Sequence, residues 1–243
     1  MMQQGGVLDP TDADTQAGLV PDGVVDGAFA KRTTDVFVAS VVLVLSAPGW
    51  VALAAAIRAE SPGPILFRAT RVGRHRSPFS MYKFRKMHDT ATGDPLTRAN
   101  DQRFTRIGKF LARSKLDELP QLLNVVRGDM SLVGPRPEDP EFVSSCPEDF
   151  DTVLTVRPGI TGLAQIHYRN EHELFEGAED PVRYYKEVLM PKKLMLDKYY
   201  ARHRSWQLDV RILLWTMIAL VRTVYVRFDP RAGVSFSLEG PAS

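Results

Sequence analysis

The residues best suited to chemistry fall in one stretch of the 243-residue chain, Arg113-Ser114-Lys115-Leu116-Asp117-Glu118-Leu119-Pro120. Two adjacent carboxylates stand just ahead of a proline, and proline is tolerated in a helix only in its first turn. Asp117 and Glu118 are therefore expected at a helix N-terminus, where the dipole and unpaired amides favour negative charge, carboxylate or phosphate alike. Neighbours on a helix point in different directions, so the two are not a mutual acid pair. They suit a division of labour, one attacking and one holding a metal. The plainer alternative is capping, because Ser114 followed by Asp117 three positions on resembles a capping box.

Cations gather around this pair in the sequence. Arg136 is set between Pro135 and Pro137 after Gly134, a stiff loop that would hold a guanidinium ready for bidentate capture of phosphate. Arg157 opens a second rigid turn, Arg157-Pro158-Gly159. Tyr82-Lys83-Phe84-Arg85-Lys86 alternates like a strand and carries three cations. For each, a solvated surface is the competing reading. His75, His88, His167, His172 and His203 lack zinc-ligand spacing, and Cys146 stands alone, so no intrachain disulfide forms. Carboxylates beside phosphates point instead to Mg²⁺, a hard oxygen-seeking ion, with Asp117 and Glu118 as its ligands. No GxSxG, Walker A or GxGxxG pattern is present.

The element that must carry this chemistry to its place is an apolar run. Val36 to Ile57 is 22 residues without a charge. As a straight helix it would be about 33 Å long, just enough to cross a bilayer core of about 30 Å. Ser46-Ala47-Pro48-Gly49 lies at its centre, where proline removes a helical hydrogen bond and predicts a bend; Ser46 is expected to satisfy a freed carbonyl. Lys31 and Arg32 flank the entry and Arg58 the exit. The tendency of positive charge to stay on the cytoplasmic face favours a re-entrant hairpin over a plain span, which stays open as the alternative.

The rest of the chain divides around that segment. Residues 1–30 hold five Asp and no Lys or Arg, and read as a disordered acidic tail rather than a signal peptide. Residues 31–60 form the membrane segment, 61–228 a catalytic domain, and 229–243 a loose C-terminal tail. Within the domain, strand-like runs fall at 65–67 and 79–84 and helical patterns at 103–112, 119–126 and 180–200, the last broken near Pro191. Leu208–Tyr225 reads as a further helix, lying in the membrane interface or packed in the core. The fold expected is α/β, mostly helical. Arg58 to Arg113 holds 13 Lys or Arg against 4 acids, and Asp117 to Asp151 holds 9 acids against 2 Arg. The basic block admits phosphate or nucleic acid, but no helix-turn-helix, RRM or zinc-finger pattern appears, so nucleic acid is not expected.

Lys31-Arg32-Thr33-Thr34-Asp35 before the apolar run, GPILFRATRVG at 63–73, YKFRKM at 82–87, the Arg103–Arg106 segment, KLDELPQLLNVVRGDMSLVGPRP at 115–137 and VRPGITGLAQ at 156–165 together resemble the bacterial sugar transferases. These are monotopic phosphoglycosyl transferases. The resemblance implies a small catalytic domain resting on the cytoplasmic face of the bacterial inner membrane. It implies transfer of a phospho-sugar from a nucleotide-diphosphate sugar, usually UDP-linked, to polyprenyl phosphate, with release of UMP. It makes Asp117 the nucleophile of a covalent phospho-sugar intermediate and Glu118 its metal-assisting partner. Lys83, Arg85 and Arg136 would hold phosphates. Arg113 would stand in for the family arginine missing at Ala112. Ser46 and Pro48 fall on the family's helix break, separated here by Ala47. Two further readings stand beside it: a membrane-bound, Mg²⁺-dependent diphosphate phosphohydrolase using the same carboxylates and cations, and a scaffold binding anionic lipid heads through the basic block, indifferent to Asp117. The residues leave a homodimer open.

Overall fold

Residues 24–88, 101–175, 180–229 and 232–238 are described by the structure, a computed structural model. The apolar run folds as one long helix, α1 (Val24–Glu60). Its inward stripe is Asp35, Ala39, Leu43, Ser46, Trp50, Leu53 and Ile57, recurring every three or four residues as a helix requires. The rest of its circumference is bare: Val44, Leu45 and Val51 are each more than 70% exposed. A side chain of that size gains about 1.5–3 kcal/mol on leaving water, so this surface calls for an apolar surround. Phe29–Glu60 has a mean hydropathy of 2.2 over its most apolar window and is long enough to cross a membrane. Because it is mostly exposed, it is not the core helix of a soluble fold.

Both ends of α1 are tied to the domain that follows. At the start, Lys31 Nζ lies 2.6 Å from Asp209 Oδ2, Arg32 donates to the carbonyls of Val125 and Val126, and Asp35 accepts from Ser131 Oγ at 2.6 Å. At the end, Ile57 is buried against Phe84 and Leu111, and Trp50 meets Phe84 edge-on at 5.1 Å.

β1 (Leu66–Val72) and β2 (Pro78–Phe84) pair antiparallel, Leu66 opposite Phe84 and Val72 opposite Pro78. α2 (Arg106–Ser114) follows, with Thr105 Oγ accepting from Gly108 N and the Glu60 carboxylate accepting from Arg106 N and Ile107 N. Gly108 has to be glycine: a Cβ there would sit 1.8 Å from the Lys86 carbonyl oxygen. Lys115 ends α2 in the left-handed region with φ 60°. A single 3₁₀ turn, Leu116–Glu118, then leads through Pro120 into α3 (Gln121–Arg127). β3 (Ser131–Val133) and α4 (Pro140–Ser145) come next, and β4 (Gly159–Thr161) returns parallel to β3. At that pairing Gly159 lies so close to Gly134 that a Cβ would be 2.1 Å from its nitrogen. Four helices follow: α5 (Leu163–His167), α6 (Pro181–Tyr184), α7 (Met190–His203) and α8 (Trp206–Ala219). A π turn, Tyr185–Leu189, joins α6 to α7, and Pro191 falls in the first turn of α7. The chain closes with an antiparallel hairpin, β5 (Tyr225–Asp229) and β6 (Gly233–Ser237). The main core gathers Met130, Leu132, Val133, Leu163, Ile166, Tyr200 and Ile212.

The fold is mostly helical with small sheets, as expected, and differs from the sequence reading in four places. Helical pairing continues through Pro48, and Ser46 Oγ donates to the Val42 carbonyl at 2.6 Å rather than to that of Val44, which Pro48 leaves without its donor. Within the expected C-terminal tail, Gly233–Ser237 form β6, which buries Val234 in the main core, and Tyr225 opens β5 instead of closing a helix. Pairing with β5 lets these residues cover core that a helix end would leave bare. Ser114 is the last residue of α2 and donates back to the Phe110 carbonyl, so it caps nothing. Of the acidic tail, residues 1–23 lie outside the described residues, while Val24–Ala30 belong to α1. α8 has a buried side, Leu208, Asp209 and Ile212, and an exposed apolar one, Trp206, Leu214 and Met217.

Candidate active site

Asp117 and Glu118 sit in the one-turn 3₁₀ segment wedged between α2 and α3, not in the first turn of α3 itself. The joint that places them is Asn124, fully buried, which accepts from Tyr82 N and donates to the Ser80 carbonyl and to Asp129. It locks β2 onto α3 and so brings the cations of β2 and its exit against the acidic turn.

The two carboxylates face different partners, as adjacent positions predict. Asp117 is 2% exposed; its Oδ2 lies 3.3 Å from Lys86 Nζ. Its other oxygen, Oδ1, is buried and has no hydrogen-bond partner. An unpaired buried acceptor costs about 1–3 kcal/mol, a cost that native structures bear mainly at functional positions. Glu118 Oε1 accepts from Lys83 Nζ at 3.0 Å and lies 3.6 Å from Arg136 Nη1. Burial alone would raise the Glu118 carboxyl, but Lys83, Arg136 and Lys115 outweigh it and hold the group far below the usual carboxylate range. Burial lowers the Lys83 ammonium, and Glu118 only partly restores it. Burial also works against the Arg136 guanidinium, yet Glu118, Glu171 and Glu138 together raise it. Arg169 feels the Glu118 charge as well. Lys83, Lys86 and Arg136 thus lie within 3.6 Å of the two carboxylates, and Lys115 and Arg169 are near enough to act on Glu118, so cations outnumber the acids of the turn, with Glu138 and Glu171 also bearing on Arg136. Such a site suits an anion such as phosphate or diphosphate.

Lys83 and Arg136 stand beside the acids, as the sequence predicts. Arg85 does not: its guanidinium is buried and donates to the carbonyls of Ser61 and Pro62 and to Ser61 Oγ, fastening the exit of α1 instead of a phosphate. Arg113 is exposed on the last turn of α2, and no bond links it to either acid among the described residues. Arg157 donates to the Gly128 carbonyl at 2.9 Å and is not brought to the acids. In the sequence Lys86 is only one cation in a run, and Lys115 and Arg169 carry no signal beyond their charge.

No group of three or more metal-ligating side chains occurs among the described residues. Glu118 and one oxygen of the adjacent Asp117 are of the hard oxygen type that a divalent ion takes, completing its shell with phosphate and water oxygens.

The chain matches the bacterial sugar transferases over residues 27–223. It belongs to that family. Its relatives include the UDP-glucose:undecaprenyl-phosphate glucose-1-phosphate transferase of Caulobacter vibrioides, 40% identical over 212 residues, covering 85% of this chain and 74% of that protein. The UDP-N-acetylgalactosamine-undecaprenyl-phosphate N-acetylgalactosaminephosphotransferase of Aeromonas hydrophila is 37% identical over 84% of this chain and 45% of its own length. The UDP-glucose:undecaprenyl-phosphate glucose-1-phosphate transferase of Escherichia coli is 37% identical over 77% of this chain and 39% of its own. The chain thus spans less than half of these last two. The matched segment of this sugar transferase contains the acidic turn, all five cations around it and the whole apolar part of α1.

Proposed function

We propose that this transferase moves a phospho-sugar from a UDP-sugar to undecaprenyl phosphate, releasing UMP and starting a surface glycan. The observation that carries the reading is the acidic turn held by Lys83, Lys86 and Arg136, in a chain whose relatives bear the names of such transferases.

In this reading Asp117 Oδ1 attacks the sugar-bearing phosphorus of the donor. The bond from that phosphorus to the bridging oxygen breaks, and the oxygen leaves with UMP. An oxygen of undecaprenyl phosphate then attacks the same phosphorus and returns the electron pair to Asp117. Covalent transfer lets a soluble donor and a lipid acceptor use one site in turn. Lys83, Lys86 and Arg136 neutralise the oxygens that otherwise repel a carboxylate nucleophile, and they are fixed before the reaction begins. Asp117 and Glu118 would hold Mg²⁺, which supplies further charge neutralisation at the phosphates.

The test is incubation of membranes bearing the protein with a panel of UDP-sugars and undecaprenyl phosphate. UMP release that requires the lipid, stops on chelation and yields a lipid-linked sugar is expected. Free sugar phosphate without lipid dependence would mark a phosphohydrolase and overturn the reading.

The topology we infer places both ends of α1 on the cytoplasmic face of the inner membrane, with the direction changing near Ser46–Pro48. Its support is that Lys31, Arg32 and Asp35 at one end and Ile57 and Glu60 at the other all bind the same domain. Cations also flank both ends. A single cysteine, Ala17→Cys in a Cys146→Ser background, should resist a membrane-impermeant maleimide in intact cells and react after lysis. Labelling of intact cells would make α1 an ordinary span. Replacing Ser46 and Pro48 with Leu should move the tail to the outside.

A further inference from the structure

The strongest cluster outside the acidic turn is a buried ion network around Lys193. This side chain of α7 is 4% exposed, yet its ammonium meets three groups from three segments. It donates to Glu171 Oε2 at 3.1 Å and to Tyr185 Oη at 3.0 Å, and lies 3.4 Å from Glu138 Oε1. Tyr185, itself buried, donates its hydroxyl proton to Glu138 Oε1 at 2.7 Å. One turn along α7, Asp197 is buried with Oδ1 unpaired; burial pushes its carboxyl up to about 8, so at neutral pH it adds little charge to the network.

A buried ion cluster is a poor source of stability, because the cost of taking charges out of water can exceed the attraction gained. Its geometry shows a different use. Glu138 follows Arg136 by two residues, and Glu171 follows Arg169 by two. In both segments the glutamate grips Lys193, while Arg136 lies 3.6 Å from Glu118 and Arg169 is near enough for Glu118 to act on its charge. One ammonium thus fastens two Arg-x-Glu loops that are distant in sequence.

We propose that Lys193 is a positioning residue: by clamping Glu138 and Glu171 it sets Arg136 and Arg169 at the spacing needed to receive the two phosphates of the donor. The inference rests on the function proposed above and extends it from the acidic turn to a clamp behind it. Without the ammonium, the two glutamates repel each other, the loops part, and both arginines lose their place. Lys193 touches no reacting atom, so its removal acts on donor binding more than on the chemical step.

The full-length protein in membranes provides the test. Lys193→Met should raise the KM for the UDP-sugar by about 10- to 100-fold, the range expected for misplacing charge-assisted contacts, with kcat changed far less. Lys193→Arg, which keeps the charge, should recover most of the loss. Lys193→Met also strands two partly buried carboxylates and can cost the fold. The triple variant Lys193→Met, Glu138→Gln, Glu171→Gln removes that strain. It should recover the melting temperature and still show the raised KM. A triple variant with both melting temperature and KM restored would make the cluster purely structural and overturn the proposal, as would a folded Lys193→Met with unchanged KM. Calorimetric titration with inorganic pyrophosphate separates this from the broader reading. Wild type that binds pyrophosphate but releases no UMP from any donor overturns the transferase reading, and the clamp is then judged by whether Lys193→Met weakens pyrophosphate binding at least about tenfold. Wild type that binds no pyrophosphate overturns the clamp.

Discussion

Asp117→Asn is expected to lower UMP release by at least about 1,000-fold, because an amide is nearly isosteric with a carboxylate but a far poorer nucleophile. The fold should survive. Oδ1 has no partner to lose, and the amide keeps the side chain's shape beside the partly exposed Lys86 ammonium. The measurement is UMP release with acceptor present, beside a melting curve and mass spectrometry for a phospho-sugar adduct formed with donor alone. An Asp117→Asn variant turning over at near-native rate, or still forming the adduct, would remove Asp117 from the role of nucleophile.

Arg136→Ala is expected to lower kcat/KM by about 10- to 150-fold, the equivalent of about 1.5–3 kcal/mol for one charge-assisted contact. Truncation takes away one of the three cations that hold Glu118 ionised. Attachment to membranes should not change, since large exposed apolar side chains lie on α1 and α8 and none on the 134–137 loop. Sedimentation of the variant with membranes, measured with its kinetics, checks both halves. Wild-type kinetics would make the Gly-Pro-Arg-Pro loop a structural turn only.

The parts of this molecule that can be read from sequence are those governed by local rules. An uncharged run of 22 residues has few ways to fold, and α1 occupies it and ends at Glu60 as expected. Strands flanking Gly73, the proline loop at 135–140 and the carboxylate pair before Pro120 are likewise set by backbone chemistry close at hand. Partner choice is not. Arg85 looks like a phosphate ligand in its run of cations, and only the fold shows that Ser61 and Pro62 claim it. Lys86 reaches Asp117 because Gly108 lets α2 pass over its carbonyl, a contact that no spacing rule anticipates. Lys193 reads as one of two lysines after a proline, and its partners lie in segments with no local tie to it. The C-terminal hairpin escapes a sequence reading because short strands give weak patterns and derive their stability from the core they cover.

The bond from Lys31 to Asp209 joins residues 178 positions apart, which makes it a matter of timing during synthesis. At about 5–20 residues per second, Asp209 leaves the ribosome roughly 9–36 s after Lys31. Val125 and Ser131, the other anchors at that end, also emerge after the whole apolar stretch. The apolar stretch is therefore complete while the surface that will hold its first turns is still unmade. Only its own flanking charges and its central proline are present at that stage to set its direction, and the folded domain closes on it afterwards as a lock.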